Sequence, residues 1–246
     1  MERRFQGKTA VVTGAGNGIG LATARRLQAE GAEVLSVDWN ADYLADCAAP
    51  NLTIDLADDD APGRIVATAT AQFGTIDMLI NNAGVAGPKA LADSSDELID
   101  HVMGINVRAA MRLTRDMLLH LARPGGCIVN VCSVFGEIGF PNTATYAASK
   151  GALSQLTRQL AADLSVDGIR VNAVAPGVIN TPIVADRIAS DAWYRRAMIE
   201  TTPIRRVGTA EDVAGGILFL CGADAQFITG HILNIDGGWL AARVTP

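Results

Sequence analysis

The sequence predicts an α/β protein: a single domain built as a three-layer, doubly wound parallel sheet of about seven strands. Three observations predict it. Short apolar, β-branched runs alternate with helical periodicity from end to end, as expected of parallel strands buried on both faces. The 246 residues contain no Pro/Ser/Gly-rich linker, internal repeat or low-complexity segment, so 1–246 reads as one unit. Aromatics make up only 5% against 25 glycines, which favours close packing of helices on a sheet over an aromatic-rich β-sandwich.

In chain order, 8–13 (KTAVVT) reads as a buried strand that ends in glycines. Helical spacing follows over 20–29, with Ile19, Ala22 and Leu27 inward, Arg25 and Arg26 outward, and Gly31 closing the helix. A second strand covers 33–37 and ends at Asp38, and a third covers 52–55. The span 61–73 is helical, 77–81 (DMLIN) is the fourth strand, and a long helical stretch covers about 95–121. The fifth strand is 127–132 (CIVNVC), followed by a long helix over 146–164 and a sixth strand over 170–174. A helix over 211–221 and a last strand over 231–235 complete the pattern. Between them, about 176–205 is irregular and holds Pro176, Pro182 and Pro203; a loop this long in a compact domain is usually functional. Within it, 182–205 is the expected substrate lid.

Charge and composition exclude several classes. A formal net charge of −6, with no Lys/Arg run, lacks the footprint of a nucleic-acid binder and suits no anionic membrane surface. No apolar run approaches the ~18 residues needed to span a bilayer, and none near the N-terminus makes a signal peptide. The four cysteines (47, 127, 132, 221) form no CxxC pair, which predicts reduced thiols in a cytoplasmic protein. Three scattered histidines (101, 120, 231) predict no metal site.

Chemistry concentrates where strands meet helices. Between the first strand and first helix stands Thr13-Gly14-Ala15-Gly16-Asn17-Gly18-Ile19-Gly20. Such a turn lets backbone N–H groups and a helix N-terminus approach a pyrophosphate, although a Gly-rich turn alone is equally a structural device. Asp38 stands where a carboxylate can accept bonds from both hydroxyls of an adenosine ribose and repel a 2′-phosphate. Neither Asn17 nor Trp39 offers the basic partner such a phosphate wants, so the residues lean to NAD over NADP; the alternative is a solvated Asp opening a turn. Asp55-Leu56 offers a carboxylate to an adenine amino group or a plain Asp turn. Asn81-Asn82-Ala83-Gly84 leaves room for a flat ligand at the sheet edge, or is a structural turn. Ser133 then precedes Tyr146-x-x-x-Lys150, whose i,i+4 spacing puts both side chains on one helical face. A Lys ammonium beside a Tyr hydroxyl lowers the phenol pKa from ~10 toward a value useful in acid/base work. A lone YxxxK more often marks a surface helix; here it follows the other motifs in order.

Taken together, these motifs resemble the short-chain dehydrogenase/reductase family over nearly the whole chain: TGAGNGIG (13–20), NNAG (81–84), Asn106 in GINV, Ser133, YAASK (146–150) and PGVINT (176–181). The resemblance implies a Rossmann fold and a nicotinamide cofactor. It makes Tyr146 the general acid/base, with Lys150 lowering its pKa and bonding the nicotinamide ribose. Ser133 would orient the reacting oxygen, and Asn106 would hold a relay water. It places Asn82, Ala83 and Gly84 along the adenosine, with Pro176, Gly177, Ile179 and Thr181 about the nicotinamide. Many members carry Ser-Ser where this chain has Cys132-Ser133; the first is generally not catalytic. The expected reaction is NAD-dependent interconversion of a secondary alcohol (polyol, sugar or other hydroxyl compound) and its ketone. The alternatives are an NADPH-dependent 3-oxoacyl thioester reductase and a non-catalytic dinucleotide sensor or scaffold. Ser133, Phe135, Asn142 and Tyr146 are the expected substrate contacts, with Glu137 as a further polar group. Lid residues including Ile183, Ile188, Trp193, Tyr194 and Met198 are expected to close over them, and lid arginines either receive an anion or are solvated. The resemblance also implies a homotetramer, a dimer second; the tail 241–246 either reaches a neighbour's site or is disordered, and the sequence does not choose.

Overall fold

Strands β1 (Thr9–Thr13), β2 (Glu33–Asp38), β3 (Asn51–Thr53), β4 (Met78–Asn81), β5 (Cys127–Val131), β6 (Arg170–Pro176) and β7 (Ile232–Ile235) form one parallel sheet. This is a computed structural model, and it describes residues 3–182 and 184–242. Expectations placed on Ile183 and on the tail beyond Ala242 lie outside the described residues. The strand order is 3-2-1-4-5-6-7, so the order reverses between β1 and β4 and opens a crevice at their carboxyl ends.

Alternation along each strand feeds two cores. Val12, Ile80 and Val129 point to one face, against Ala24 and Leu27 of α1 (Gly18–Ala29) and Val213 and Ile217 of a later helix. Val11, Leu79 and Ile128 point to the other, against Ile65 of α3 (Ala61–Phe73) and Leu113 and Met117 of a helix on the far side. Both faces are therefore covered, as near-continuous apolar strands require. A short α2 (Ala41–Leu44), capped by the Asn40 side chain, lies between β2 and β3 and has no counterpart in the sequence pattern.

Two expected elements differ. The stretch 95–121 is four pieces: α4 (Asp96–Met103), a π-helical segment (Gly104–Ala109), α5 (Ala110–Met117) and a 3-10 turn (Leu118–His120). The wider turn frees Asn106 to bond outside its own helix, a departure that periodicity does not encode. The third strand stops at Thr53 because Asp55 turns the chain, its Oδ1 accepting from Ala57 N at 2.9 Å. The remaining helices are α6 (Ala144–Leu164), α7 (Ala185–Ser190), α8 (Ala192–Arg195) and α9 (Ala210–Cys221). Thus the irregular 176–205 contains real helices. Its prolines flank them, and Asp191 caps α8 by accepting from Tyr194 N at 2.9 Å. All four cysteines are free thiols, and no helix of the described residues is long and apolar enough to cross a membrane.

Candidate active site

The carboxyl ends of β1, β2, β4, β5 and β6 deliver most of the predicted site residues to one edge of the sheet. At β1 the chain turns through the glycines into α1. Ala15 N bonds Val37 O, and Gly16 N donates to Asp38 Oδ2 at 3.0 Å. A Cβ on Gly20 would lie 2.0 Å from Gly14 O, so only glycine lets helix and turn approach this closely. Asn17 precedes α1 without capping it, and the first turn holds no acidic residue. The orphan amides there have the chemistry of an anion cradle. The donor set therefore fits a dinucleotide pyrophosphate.

Asp38 is only 5% exposed. Its second oxygen accepts from Asn40 N at 3.1 Å, so two backbone amides hold the carboxylate in place at the end of β2. Each oxygen keeps an acceptor direction for a ribose hydroxyl. Trp39 beside it is exposed, with its ring edge-on to Tyr43. Asp55 is exposed in its turn, and Leu56 packs on the second core. Asn82 serves the turn itself: its Nδ2 donates to Thr13 O (2.9 Å) and Gly14 O (3.0 Å), while Asn82 N and Ala83 N donate to Thr13 Oγ1. On the far side, Gly177 N bonds Ile235 O, Ile179 bridges to Gly208, and Thr181 stands next to Gly18.

At β5 the chain leaves the sheet through Ser133, whose Oγ accepts from Phe135 N at 3.2 Å. The tight turn Val134–Gly136 presses against α6, which presents Tyr146 and Lys150 on one face. Lys150 is buried; its Nζ donates to Val131 O at 2.8 Å and stands 5.8 Å from the centre of the Tyr146 ring. Burial pushes the Lys150 ammonium below its ordinary range. Burial likewise pushes the Tyr146 phenol up to about 12, against a hydrogen bond with Ser133 that favours the phenolate. Desolvation outweighs that bond in the chain alone, and the Lys150 ammonium is turned to a backbone carbonyl. Asn106 is buried and fully engaged as well. Its Oδ1 accepts from Val85 N (2.8 Å), and its Nδ2 donates to Val85 O (3.0 Å) and Ser149 Oγ (2.9 Å). The side chain therefore ties the π-helical segment to β4's exit and to α6.

The family model described as "Enoyl-(Acyl carrier protein) reductase" matches residues 14–240. The chain is 37% identical to 2-(R)-hydroxypropyl-CoM dehydrogenase of Xanthobacter autotrophicus, over 95% of this chain and 99% of that one. It is 39% identical to cis-4-hydroxycyclohexanecarboxylate dehydrogenase of Sinomonas cyclohexanicum, over 98% and 100%. A crystal structure titled short-chain dehydrogenase/reductase, glucose/ribitol dehydrogenase, from Brucella melitensis superposes with a TM-score of 0.90 at 31% identity, covering 97% of this chain and 99% of that chain. The chain belongs to the short-chain dehydrogenase/reductase family. It is an oxidoreductase of that family, with the family's Rossmann sheet and a nicotinamide dinucleotide as cofactor.

Around the short-chain dehydrogenase/reductase motifs, the structure also shows what the motifs do not encode. Phe135 stacks on Phe140 (centroids 4.6 Å apart), and Trp193, Tyr194 and Trp239 join them from the 182–205 segment and the C-terminal loop. Phe140, Tyr194 and Trp239 lie up to a hundred residues apart in sequence, and no spacing rule links them. Glu137 is turned away from this wall, its Oε1 accepting from Ser154 Oγ at 2.9 Å and its Oε2 facing Arg158 at 3.6 Å. Asn142 is exposed in a left-handed turn (φ 57°).

Proposed function

We propose that this protein is an NAD(H)-dependent enzyme that interconverts a secondary alcohol and its ketone, with Tyr146 as general acid/base. The observation that carries the reading is the meeting of Ser133, Tyr146 and Lys150 beside a glycine cradle whose neighbouring acceptor is the buried Asp38 carboxylate. The held carboxylate supports NAD, because a 2′-phosphate there would face an unneutralised negative charge with no room for it to swing aside. Bound nicotinamide dinucleotide supplies the hydride acceptor or donor and, oxidised, a positive charge beside the phenol.

In oxidation, Tyr146 Oη takes the proton of the substrate hydroxyl while Ser133 holds the same oxygen by a hydrogen bond. In reduction, Tyr146 returns the proton to the carbonyl oxygen. Lys150 places a buried positive charge on the Tyr146 side of α6, which favours the phenolate against the penalty of burial. The 182–205 segment covers the substrate, with Phe135 and Asn142 at the mouth. Four free thiols support a reducing compartment such as the cytoplasm. We propose a homotetramer, with a dimer second: β7 is an edge strand, and Phe219 and Phe227 lie exposed near it.

A second reading is an NADPH-dependent 3-oxoacyl thioester reductase, favoured by 34% identity to the 3-oxoacyl-[acyl-carrier-protein] reductase of Thermotoga maritima. A turnover panel separates the two: polyols, sugars, secondary alcohols, their ketones and 3-oxoacyl thioesters, each with NAD(H) and NADP(H). NAD-linked turnover of an alcohol or ketone supports the first reading. Turnover confined to NADPH and thioesters establishes the second. Silence with intact NADH binding returns the protein to a dinucleotide sensor.

A further inference from the structure

Tyr146, Lys150, Ser154 and Arg158 follow one another at four-residue spacing, so they form one stripe along α6. Three of them reach across to the end of β5 and the turn beyond it. Lys150 Nζ donates to Val131 O at 2.8 Å, and Ser154 Oγ donates to Glu137 Oε1 at 2.9 Å. Arg158 adds a looser pairing, its guanidinium 3.6 Å from Glu137 Oε2.

Ser154 is 1% exposed. A helical serine or threonine often donates back to the carbonyl four residues earlier. Thr23, Thr68 and Thr157 do so here. Ser154 instead leaves its helix for the Glu137 carboxylate, a charge-assisted bond. Glu137 closes the turn that starts at Ser133. Gly136 N donates to Ser133 O at 2.9 Å and Glu137 N to Val134 O at 3.1 Å, so 133–137 is one hydrogen-bonded unit. Backbone contact limits how close this unit comes to α6, since a Cβ on Gly136 would lie 2.8 Å from the Lys150 carbonyl carbon. The Glu137–Ser154 bond limits how far it moves away. Ser154 stands about 12 Å beyond Tyr146 along the helix, at 1.5 Å per residue, so the carboxylate is committed to α6 and not to the reacting atoms.

We propose that Glu137 is a positioning residue for the reaction: by holding Ser154 it fixes the Ser133 turn on α6 and so sets Ser133 against Tyr146. This rests on the reading above, in which those two hold the reacting oxygen. A loosened turn lets Ser133 drift from that oxygen, and small displacements of this kind cost rate.

The test compares wild type with Glu137→Gln, Glu137→Ala, Ser154→Ala and the double alanine variant, with Tyr146→Phe as the inactive reference. Turnover is followed on the panel compound that the wild type converts fastest, with its preferred cofactor. Each alanine variant lowers kcat about tenfold and leaves the KM for the cofactor within about twofold. The double variant loses no more than either single one, because both act through one bond. Glu137→Gln keeps an oxygen for the Ser154 hydroxyl and holds kcat within about threefold of wild type. Wild-type kcat in both alanine variants, losses that multiply in the double variant, a Gln variant as slow as the Ala variant, or a cofactor KM that rises while kcat holds overturns the proposal. Ser154→Ala removes one oxygen and carries the test if Glu137→Ala does not fold; failure of both to fold overturns the proposal too. With Tyr146→Phe inactive, each of these results leaves the oxidoreductase reading standing. Full activity of Tyr146→Phe, or a wild type silent on the whole panel, overturns both.

Discussion

Asp38 is a buried carboxylate and Tyr146 a half-buried phenol, and their partners differ. Two backbone amides hold the Asp38 carboxylate, whereas at Tyr146 the Ser133 hydrogen bond does not outweigh desolvation of the phenolate. Replacing Asp38 by Ala removes the acceptors for a ribose and the repulsion toward a 2′-phosphate. Losing bonds to a charged group worth about 1.5–3 kcal/mol should cut kcat/KM with NADH by roughly 10- to 100-fold while NADPH gains. Unchanged preference in steady-state kinetics would remove Asp38 from the specificity argument. For Tyr146 the sign follows from burial: with the phenol pushed up to about 12, the cofactor-free protein holds this proton through neutral pH and beyond. Absorbance titration near the phenolate band, differenced against Tyr146→Phe, should show no ionisation of Tyr146 below about pH 10 without cofactor. Saturating NAD should bring that ionisation down, because a positive charge beside the phenol favours the phenolate. A Tyr146 transition near neutrality in the cofactor-free protein would contradict the balance of burial and charge argued here.

The element that places the chemistry is the turn Val134–Gly136 pressed on α6. A Cβ on Gly136 would lie 2.8 Å from the Lys150 carbonyl carbon, whereas one on Gly139 would meet nothing within 4 Å. Gly136→Ala should therefore push the turn off α6 and part Ser133 from Tyr146. We expect kcat to fall at least tenfold with NADH affinity little changed, and Gly139→Ala to behave as wild type in the same assay. Comparable activity of the two variants would show that this contact does not set the geometry. The same region marks what was legible beforehand. The YxxxK pair was readable because helical periodicity places residues four apart together. Asp38 was readable because it ends a β-branched run after a glycine turn. The π-helical segment was not, because its cause is the set of long-range bonds from Asn106 to Val85 and Ser149. The direction of the Lys150 amine was not either, since Val131 O lies on a strand whose distance from α6 no local pattern encodes. Tyr194 and Phe140 meet only through the fold of the lid segment, so their cluster was invisible to spacing.

For the whole molecule, the sheet was the most legible feature: seven apolar runs in a βα alternation became seven parallel strands with the order reversal where ligands bind. Its open edge at β7 is the part still to be covered. Phe227 stands fully exposed and Phe219 partly so on the adjoining elements. Sedimentation equilibrium should report a tetramer, and Phe227→Glu should shift it toward smaller species with NADH binding retained. A wild-type monomer at micromolar concentration would leave that edge without the partner proposed for it.

The most direct test of the central claim is Tyr146→Phe, which removes one oxygen at the edge of the sheet. NADH binding, read by nicotinamide fluorescence, and turnover, read by nicotinamide absorbance, are measured on the same preparation. If Tyr146 is the proton donor and acceptor, turnover falls by about 10²-fold or more, the range for loss of general acid/base catalysis, while NADH affinity stays within a fewfold of wild type. Turnover near the wild-type level, or binding lost together with turnover in a folded variant, would contradict it.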